Sequence, residues 1–472
     1  MAEITNDSLV KGVLHQFFSK NGVQNCFGKN SPVVQILPFV HIDGDSYVTS
    51  IAATRGGAVS SSAVVSANAS KTGKALKFTI KPGKIFSSYS FNAAEVAASA
   101  SNEGAFARST VVKFAKAVAA FRQTFAAALY GSGWGEVGLV LDVSTDTSGE
   151  TAIATITVGN ATKCKIDVES ELVFKKYIKT NTSHASGKVI ARNGTTFKVE
   201  LNDKASTVAV GDVIALKGGS DANGGRMPAG FFSYLPFVGG RKGAEWEKLL
   251  KTPEFGADIS IAPDKLAGYC YVPTAKEDMT TTIQNMVTEL DAQGANVDMI
   301  IMNNLDYSKF ITEVNASNRY LTSNSGKKNT TVGWNNLSAA IGAQYIENIY
   351  REPALEEGVV IMGDSSAAMI GSYTNMEKVI RDSKAGNDAV GKVDIDDFTN
   401  EAGDDEQTMA LLKNGFLFVG QGEMDDDGAT ILAQIQYFGS LIIEDPSRFG
   451  VGLFYNANGY DNILGYKNVI EA

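Results

Sequence analysis

Histidine and cysteine, the side chains that most often carry catalysis or bind transition metals, are scarce in this chain. There are three of each among 472 residues, at His15, His41, His184, Cys26, Cys164 and Cys270. They are far apart in sequence, and no Cys-x-x-Cys pair occurs. The spacing therefore favours neither a catalytic triad, nor a zinc site, nor a disulfide framework. Each histidine is interpreted as a surface or packing residue, and Cys164 as a small buried side chain on the apolar face of a strand.

A glycine-rich basic segment is the nearest approach to a phosphate site. Gly239-Gly240-Arg241-Lys242-Gly243 could cradle a phosphate, but it is not a G-x-x-x-x-G-K-[ST] loop. A flexible turn is the favoured interpretation, and anion binding is the alternative.

Two acidic segments resemble the start of a calcium loop. In 394–398, Phe398 occupies a ligand position and the required glycine is missing, and 423–428 lacks the downstream glutamate. Both are predicted to be solvated loops, with adventitious divalent-ion binding as the alternative. The 52 acidic residues single out no carboxylate pair for glycoside hydrolysis. The sequence thus predicts no catalytic residue, no cofactor site and no metal site.

Length and charge limit the classes of protein further. A chain of 472 residues has room for about two to four domains. Its net charge of -10 argues against general binding to nucleic acid or anionic membrane, which requires clustered Lys and Arg. An acidic protein could still enclose DNA, since an acidic lining would keep the DNA from adhering. No apolar run approaches the roughly 20 residues of a membrane span, and the N-terminus lacks the pattern of a secretion signal.

An extended β-hairpin is predicted at 33–91. Val33–Val40 and Tyr47–Ile51 are predicted strands on either side of the turn dipeptide Asp43-Gly44. Residues 75–81 alternate, which places Leu76, Phe78 and Ile80 on one face. The tip, 54–63, is rich in Gly, Ser and Ala and can bury little apolar surface. An arm that cannot pack on its own domain is expected to pack on a neighbouring molecule.

Residues 102–130 form the longest predicted helix. Their apolar residues recur at steps of three and four, at Val111, Phe114, Val118, Phe121, Phe125 and Leu129. Asn102 is the candidate N-cap and Gly131 the candidate residue after the C-cap. Such a helix is about 40 Å long and can brace a large flat domain.

The segment 135–220 has the composition and alternation of a separate β-domain. Strands are predicted at 163–169, 188–192 and 195–201, with a hairpin turn at Asn193-Gly194. The segment is predicted to be a small antiparallel barrel or sandwich, inserted into the chain.

The remainder is predicted to be mixed. Helices are expected at 244–251, after the cap residue Asp278, and at 307–314. Residues 382–406 are predicted to be an acidic loop. Trp134, Trp246 and Trp334 are interpreted as core or interface anchors. The further strands are predicted at 297–302, 359–363, 416–420, 431–438 and 451–455.

This order of elements resembles the major capsid protein of tailed double-stranded DNA bacteriophages, with the α+β Hong Kong 97-like fold. It is similar in layout over nearly the whole chain, and the larger podovirus or crAss-like members are the nearest in kind. The resemblance implies seven parts: an N-terminal arm at 1–32, an extended β-hairpin loop at 33–91, a peripheral domain with spine helix at 92–134, an inserted β-domain at 135–220, the peripheral domain continued at 221–277, an axial α/β domain at 278–428 and C-terminal peripheral strands at 429–472.

The resemblance also implies function and partners. The chain is expected to be a structural protein, not an enzyme, that assembles into hexamers and pentamers of an icosahedral shell enclosing phage DNA. Portal, scaffolding and auxiliary or head-fibre proteins are the expected partners, no membrane is involved, and the location is the virion after assembly in the host cytoplasm. The residues expected to contact neighbouring subunits are Arg55, Gly56, Gly57, Lys71, Lys74, Phe17 and Phe18.

Two other classes stay open at this point. A secreted or surface β-rich adhesion protein would need an export route. A carbohydrate-active enzyme would need paired carboxylates about 5–9 Å apart in a cleft.

Overall fold

The computed structural model describes most of the chain: residues 31–52, 61–68, 75–92, 120–220, 226–239, 241–252, 255–317, 339–341, 344–346, 348–373, 416–424, 430–467 and 469–470. The described residues fall into two compact units. Unit 1 takes those within Met1–Ser46, Lys81–Ala126 and Ile370–Ser440, and unit 2 takes those within Tyr47–Ile80, Ala127–Met369 and Leu441–Ala472.

The described helices are α1 Pro32–Ile36, α2 Ala63–Asn68, α3 120–128, α4 Asn160–Lys163, α5 Phe231–Tyr234, α6 Ala244–Lys251, α7 Pro263–Leu266, α8 Met279–Ala292 and α9 Asn304–Ser317, with 3-10 turns at Ile259–Ile261, Ser365–Ala367 and Pro446–Arg448. The described strands are β1 Phe39–His41, β2 Tyr47–Ala52, β3 Ala75–Ile80, β4 Gly83–Asn92, β5 Glu136–Leu139, β6 Asp142–Asp146, β7 Ile153–Thr157, β8 Glu171–Lys175, β9 Ala185–Asn193, β10 Thr196–Leu201, β11 Val213–Leu216, β12 Tyr269–Tyr271, β13 Met299–Met302, β14 Ala339–Ile341, β15 Gln344–Ile346, β16 Asn348–Arg351, β17 Val359–Gly363, β18 Ala368–Ser372, β19 Phe416–Met424, β20 Thr430–Ile443 and β21 Phe449–Leu453.

Unit 1 is built on the long strand β20. β4 pairs antiparallel with β20 over ten residues, from Gly83 opposite Gly439 to Asn92 opposite Thr430. β19 also pairs antiparallel with β20, and β18 and β1 extend the same sheet. Strands paired over this length form a continuous ladder of backbone hydrogen bonds, which organises the sheet of unit 1.

The described part of the long predicted helix has the predicted apolar stripe. α3 buries Phe121 and Phe125, and Leu129 directly after it is fully buried. The Phe125 ring meets the Tyr437 ring edge to face, with centroids 4.9 Å apart. Burial raises the pKa of the Tyr437 hydroxyl, which donates to the Gly371 carbonyl oxygen at 2.8 Å. The predicted residues 102–119 lie outside the described residues.

The first predicted strand is wrong. Residues 32–36 are helical because Pro32 at the first turn has the backbone angle that a helix start needs, and Val33 is fully buried. Only 39–41 is a strand, and it pairs in parallel with β18, far away in sequence. Asp43-Gly44 therefore does not join two paired strands, because β2 pairs with β3 instead.

Unit 2 contains a mixed five-stranded sheet with the order β12-β21-β17-β13-β16. α8 packs on it through Ile283, Met286 and Leu290, which are buried as the sequence predicts. The Asp278 side chain accepts a hydrogen bond from the Thr281 backbone N–H at 2.8 Å, as a helix cap does. The strands predicted at 297–302 and 359–363 are present as β13 and β17, both fully buried.

Unit 2 also contains the strands of segment 135–220. β5 to β11 form one antiparallel seven-stranded sheet with the order β5-β11-β8-β9-β10-β7-β6. Its core includes Phe174, Phe197 and Val199, none of them exposed. The predicted hairpin is confirmed: Asn193 lies opposite Thr196, and Gly194 has a φ of 61°, which glycine adopts without strain.

The two edges of this sheet meet and close it into a barrel. β5 and β6 are two halves of one segment, 136–146. The Val140 N–H donates to the Asp212 carbonyl at 2.9 Å, next to β11, and the Leu141 N–H donates to the Thr157 carbonyl at 2.8 Å, in β7. A closed barrel has no unpaired edge strand, so it does not present a backbone edge to other chains. The strands β5 to β11 with their connections are called the barrel below.

One strand predicted in this region is wrong. Residues 160–163 form the short helix α4, and 164–170 are irregular. Of the three residues assigned to its apolar face, Ile166 is buried, whereas Cys164 is half-buried and Val168 is 42% exposed. Within the described part of the chain, no helix is both long and apolar enough to cross a bilayer.

Candidate interaction surface

Within the hairpin predicted at 33–91, β2 and β3 form a two-stranded ribbon, whereas β4 at 83–92 pairs with β20 instead. Six residue pairs join the strands, from Tyr47 opposite Ile80 to Ala52 opposite Ala75. Phe78 and Ile80 are buried on one face, as the alternation predicts, and Leu76 on that face is half-buried. The opposite face is exposed. A ribbon of two strands needs cover on one face to be stable, and this one is covered on one side only.

Aromatic contacts fix the base of the ribbon. The Thr79 N–H donates to the Phe255 carbonyl at 2.9 Å, and the Phe78 and Phe255 ring centroids are 5.8 Å apart. Phe255 in turn stacks on Tyr234, at 4.6 Å. On β2, the Tyr47 hydroxyl donates to a Glu444 carboxylate oxygen at 2.7 Å. These contacts anchor the base of the ribbon to the rest of unit 2.

A small cavity of about 20 Å³ lies behind Phe78. This volume is enough for one water molecule. The Ser233 hydroxyl on its wall is buried without a hydrogen-bond partner, which suits such a water. The described residues that line the cavity include no carboxylate, imidazole or thiol.

The outer face of the ribbon and the helix α2 expose apolar side chains. Val48 on β2 is 51% exposed, and Val64 and Val65 on α2 are 69% and 55% exposed. Lys77 on β3 is exposed as well. We call Val48, Val64, Val65 and Lys77 the ribbon surface. Contiguous exposed apolar side chains can mark a surface that another molecule covers.

The seven residues predicted to contact neighbouring subunits all lie outside the described residues. They are Arg55, Gly56, Gly57, Lys71, Lys74, Phe17 and Phe18. The first five flank α2 in sequence, so the ribbon surface is their nearest described neighbour along the chain.

The described histidines are apart from each other, and each pairs with an aspartate. His41 Nε2 is 3.1 Å from an exposed Asp43 oxygen. His184 Nε2 is 2.8 Å from Asp212 Oδ2, which also accepts the Ala209 N–H at 2.7 Å. The second pair ties two loops of the barrel together. Neither pair has a serine or cysteine nucleophile as a hydrogen-bonded partner, and no group of three metal-binding side chains occurs among the described residues.

The glycine-rich segment does not offer its arginine to a phosphate. The buried Arg241 guanidinium donates to the carbonyl oxygens of Ala267 and Gly268 and lies 5.1 Å from the centre of the Trp246 ring. Burial raises the pKa of the neighbouring Cys270 thiol, although Arg241 acts in the opposite direction. A thiol that stays protonated is a poor nucleophile.

A buried ion pair fastens the barrel to the rest of unit 2. Lys165 Nζ is 3.4 Å from Glu356 Oε1, and both side chains are about a tenth exposed or less. Beside it, the Asn160 amide donates to a Glu357 carboxylate oxygen at 2.6 Å. Burial raises the pKa of Glu356, and the Lys165 ammonium opposes the shift. These two contacts join α4 and the segment after it to residues 356–357, between β16 and β17.

Comparison with known proteins gives the fold. No protein-family model matches the chain, and no curated protein matches it. A chain of the cyanophage A-1(L) capsid asymmetric unit is similar over 95% of this chain and 95% of its own length, with a TM-score of 0.50 and 9% sequence identity.

Two other solved structures are less similar. A capsid chain of a native GTA particle covers 93% of this chain and 94% of its own, with a TM-score of 0.44 and 10% identity. A chain from Gordonia phage Cozz covers 93% and 91%, with a TM-score of 0.39 and 11% identity. Both lie below a TM-score of 0.5, so the assignment rests on the cyanophage chain. The protein has the α+β fold of a phage capsid chain.

Sequence reasoning missed three features of unit 2. No element was predicted at Val64 and Val65, which follow the predicted tip at 54–63, although two adjacent valines among Ala and Ser are a local signal. Phe255 and the Lys165–Glu356 pair carry no such signal, because each depends on a partner more than 170 residues away in sequence.

Proposed function

We propose that the chain is the major capsid protein of a tailed double-stranded DNA phage, and that it assembles into an icosahedral shell around the phage DNA. The observation that carries this proposal is the likeness of fold to the cyanophage capsid chain over 95% of both chains. Identity of 9% limits that likeness to fold, so the function needs its own test.

The finer architecture is part of the same proposal. We assign the chain to the Hong Kong 97-like fold, in the podovirus or crAss-like range, with the seven parts predicted from the sequence. Contact between the backbones of Gly135 and Gly219 supports the barrel as an insertion, because the chain enters and leaves it at one place. A separate unit inserted at a single point can be gained without disturbing the surrounding fold.

The ribbon is assigned the role of an arm that lies on the next subunit. Its fixed base and exposed outer valines support this role. Such a contact uses two different surfaces of each copy, so repetition around an axis gives rings of five or six. Obligate contacts of this kind bury on the order of 2,000 Å² or more.

Partners and location follow from the same assignment. Portal, scaffolding and auxiliary or head-fibre proteins would complete the particle, which would form in the host cytoplasm and become the virion. The DNA would be enclosed without sequence-specific contacts. The chain's role would be structural rather than enzymatic.

Negative-stain electron microscopy of the purified chain, with light scattering on the same fractions, tests the proposal. Closed shells, tubes or discrete rings of five and six are the expected products, with or without an added scaffolding protein. The proposal would be overturned if the chain stayed monomeric at high concentration, with a molecular crowding agent and a scaffolding protein added.

A further inference from the structure

The ribbon and its tip differ in charge from the rest of the chain. The 34 residues from Tyr47 to Ile80 contain no Asp or Glu and four cations, Arg55, Lys71, Lys74 and Lys77. The whole chain carries a net charge of -10, so the rest of it carries -14. A cationic arm on an anionic molecule is attracted to other copies of that molecule.

Of these four cations, Lys77 is among the residues that the structure describes. It is exposed on the outer face of β3 and lies opposite Ser50 on β2. The next residue pair on the same face is Val48 opposite Thr79. Among the described residues it forms no salt bridge. Its ammonium group is exposed and can meet an anion on another molecule.

We propose that the ribbon surface binds a carboxylate-rich surface on a second copy of this chain. Lys77 meets the carboxylates, and Val48, Val64 and Val65 lose their exposure to water in the same contact. The inference rests on the proposed function, and it adds to it the chemistry of the partner surface and a dependence of assembly on salt.

The mixture of charge and apolar side chains favours a protein partner over nucleic acid. Phosphate backbones are bound by clustered Lys and Arg, and apolar side chains gain little beside them. The ribbon surface has three exposed valines and one exposed lysine. Burying valines while pairing a charge at the rim is what a protein interface does.

The test compares the full-length chain with Lys77→Glu and with the matched control Lys198→Glu. Lys198 is an exposed lysine on β10 of the barrel, also without a salt bridge among the described residues. Assembly is followed by light scattering at several NaCl concentrations. Wild-type assembly should slow on the order of tenfold between about 0.05 and 0.5 M NaCl. Lys77→Glu should slow it severalfold at low salt and flatten the salt dependence, while Lys198→Glu follows the wild type.

Thermal unfolding of the unassembled variants should be unchanged, which excludes misfolding as the cause. Equal assembly of Lys77→Glu and wild type, or no effect of salt, would overturn the inference and leave the proposed function intact. Binding of a labelled DNA duplex that Lys77→Glu abolishes, with assembly unaffected, would overturn it in favour of nucleic acid. A wild-type chain that never assembles would instead remove the proposed function on which the inference rests.

Discussion

The barrel and the ribbon are both antiparallel β-structures, yet they handle their surfaces in opposite ways. The barrel closes on itself through segment 136–146, buries its own core and is fastened by the Lys165–Glu356 pair. The ribbon has two strands, one covered face and an outer face that exposes Val48, and the helix α2 exposes Val64 and Val65. If the ribbon has the proposed role, the comparison teaches that stability and interaction are assigned to different parts of the chain. A region that pairs its own strand edges and buries its own apolar side chains offers few groups to a partner. A region that leaves such groups exposed can bind one.

The largest loss of stability is expected from a cavity in the barrel core. Phe197 is fully buried there, and Phe197→Ala should destabilise unit 2 by about 3–5 kcal/mol, through lost burial and the void that remains. Chemical denaturation monitored by circular dichroism measures this. Lys198→Ala, on the outer face of the same strand, should stay within about 0.5 kcal/mol. Similar losses for both would mean that the barrel has no core of its own.

Removing one member of the buried ion pair should have the next largest effect. Lys165→Met leaves Glu356 buried without its counter-charge, at a cost of about 3 kcal/mol or more. The double variant Lys165→Met with Glu356→Leu should recover most of that loss, because both charges are gone. A double variant no more stable than the single one would show that the pair does not act as a unit.

The Lys165→Met variant should also depend on pH in a defined direction. Burial raises the pKa of Glu356 in the folded chain above its unfolded value, and loss of Lys165 should raise it further. The folded state then favours the protonated acid, so stability is retained below the unfolded pKa and lost as pH rises through the folded pKa. The deficit of the variant against wild type should be larger at about pH 8 than at about pH 5. The opposite trend would exclude Glu356 as the group left unpaired.

A smaller effect is expected at the barrel turn. Gly194 has a φ of 61° with open space around it, so Gly194→Ala costs backbone strain alone, about 1 kcal/mol. Gly149→Ala, in a barrel loop without a left-handed backbone, should stay within about 0.5 kcal/mol. Thermal unfolding of the two variants side by side measures the difference. Equal midpoints would mean that the turn contributes nothing to barrel stability.

Local signals were predictable from the sequence, and distant pairings were not. Asn193-Gly194, the cap residue Asp278 and the alternation of Phe78 with Lys77 each depend on a few neighbouring residues, and each is confirmed. The strand predicted at 163–169 is wrong because alternation over a few residues also occurs by chance around a helical turn.

The pairing of β1 with β18 joins residues more than 300 positions apart, and no local pattern encodes it. The same holds for the aromatic base of the ribbon, where Phe78 meets Phe255. The hairpin was predicted as an interaction region from the poor apolar content of its tip, and that role stays a prediction. The described residues that form the ribbon surface were not predicted, because exposure depends on what the rest of the fold leaves uncovered.

The central claim is that the ribbon surface, and not the barrel surface, joins copies of the chain. The direct test is mass photometry and electron microscopy of Val64→Asp with Val65→Asp, beside Val210→Asp as the matched control. Val210 is 62% exposed on the barrel, so all three substitutions place a charge where a valine already meets water. The account predicts that the double variant keeps its unfolding temperature but stays unassembled, and that Val210→Asp forms particles like the wild type. Normal particles from the double variant would contradict it.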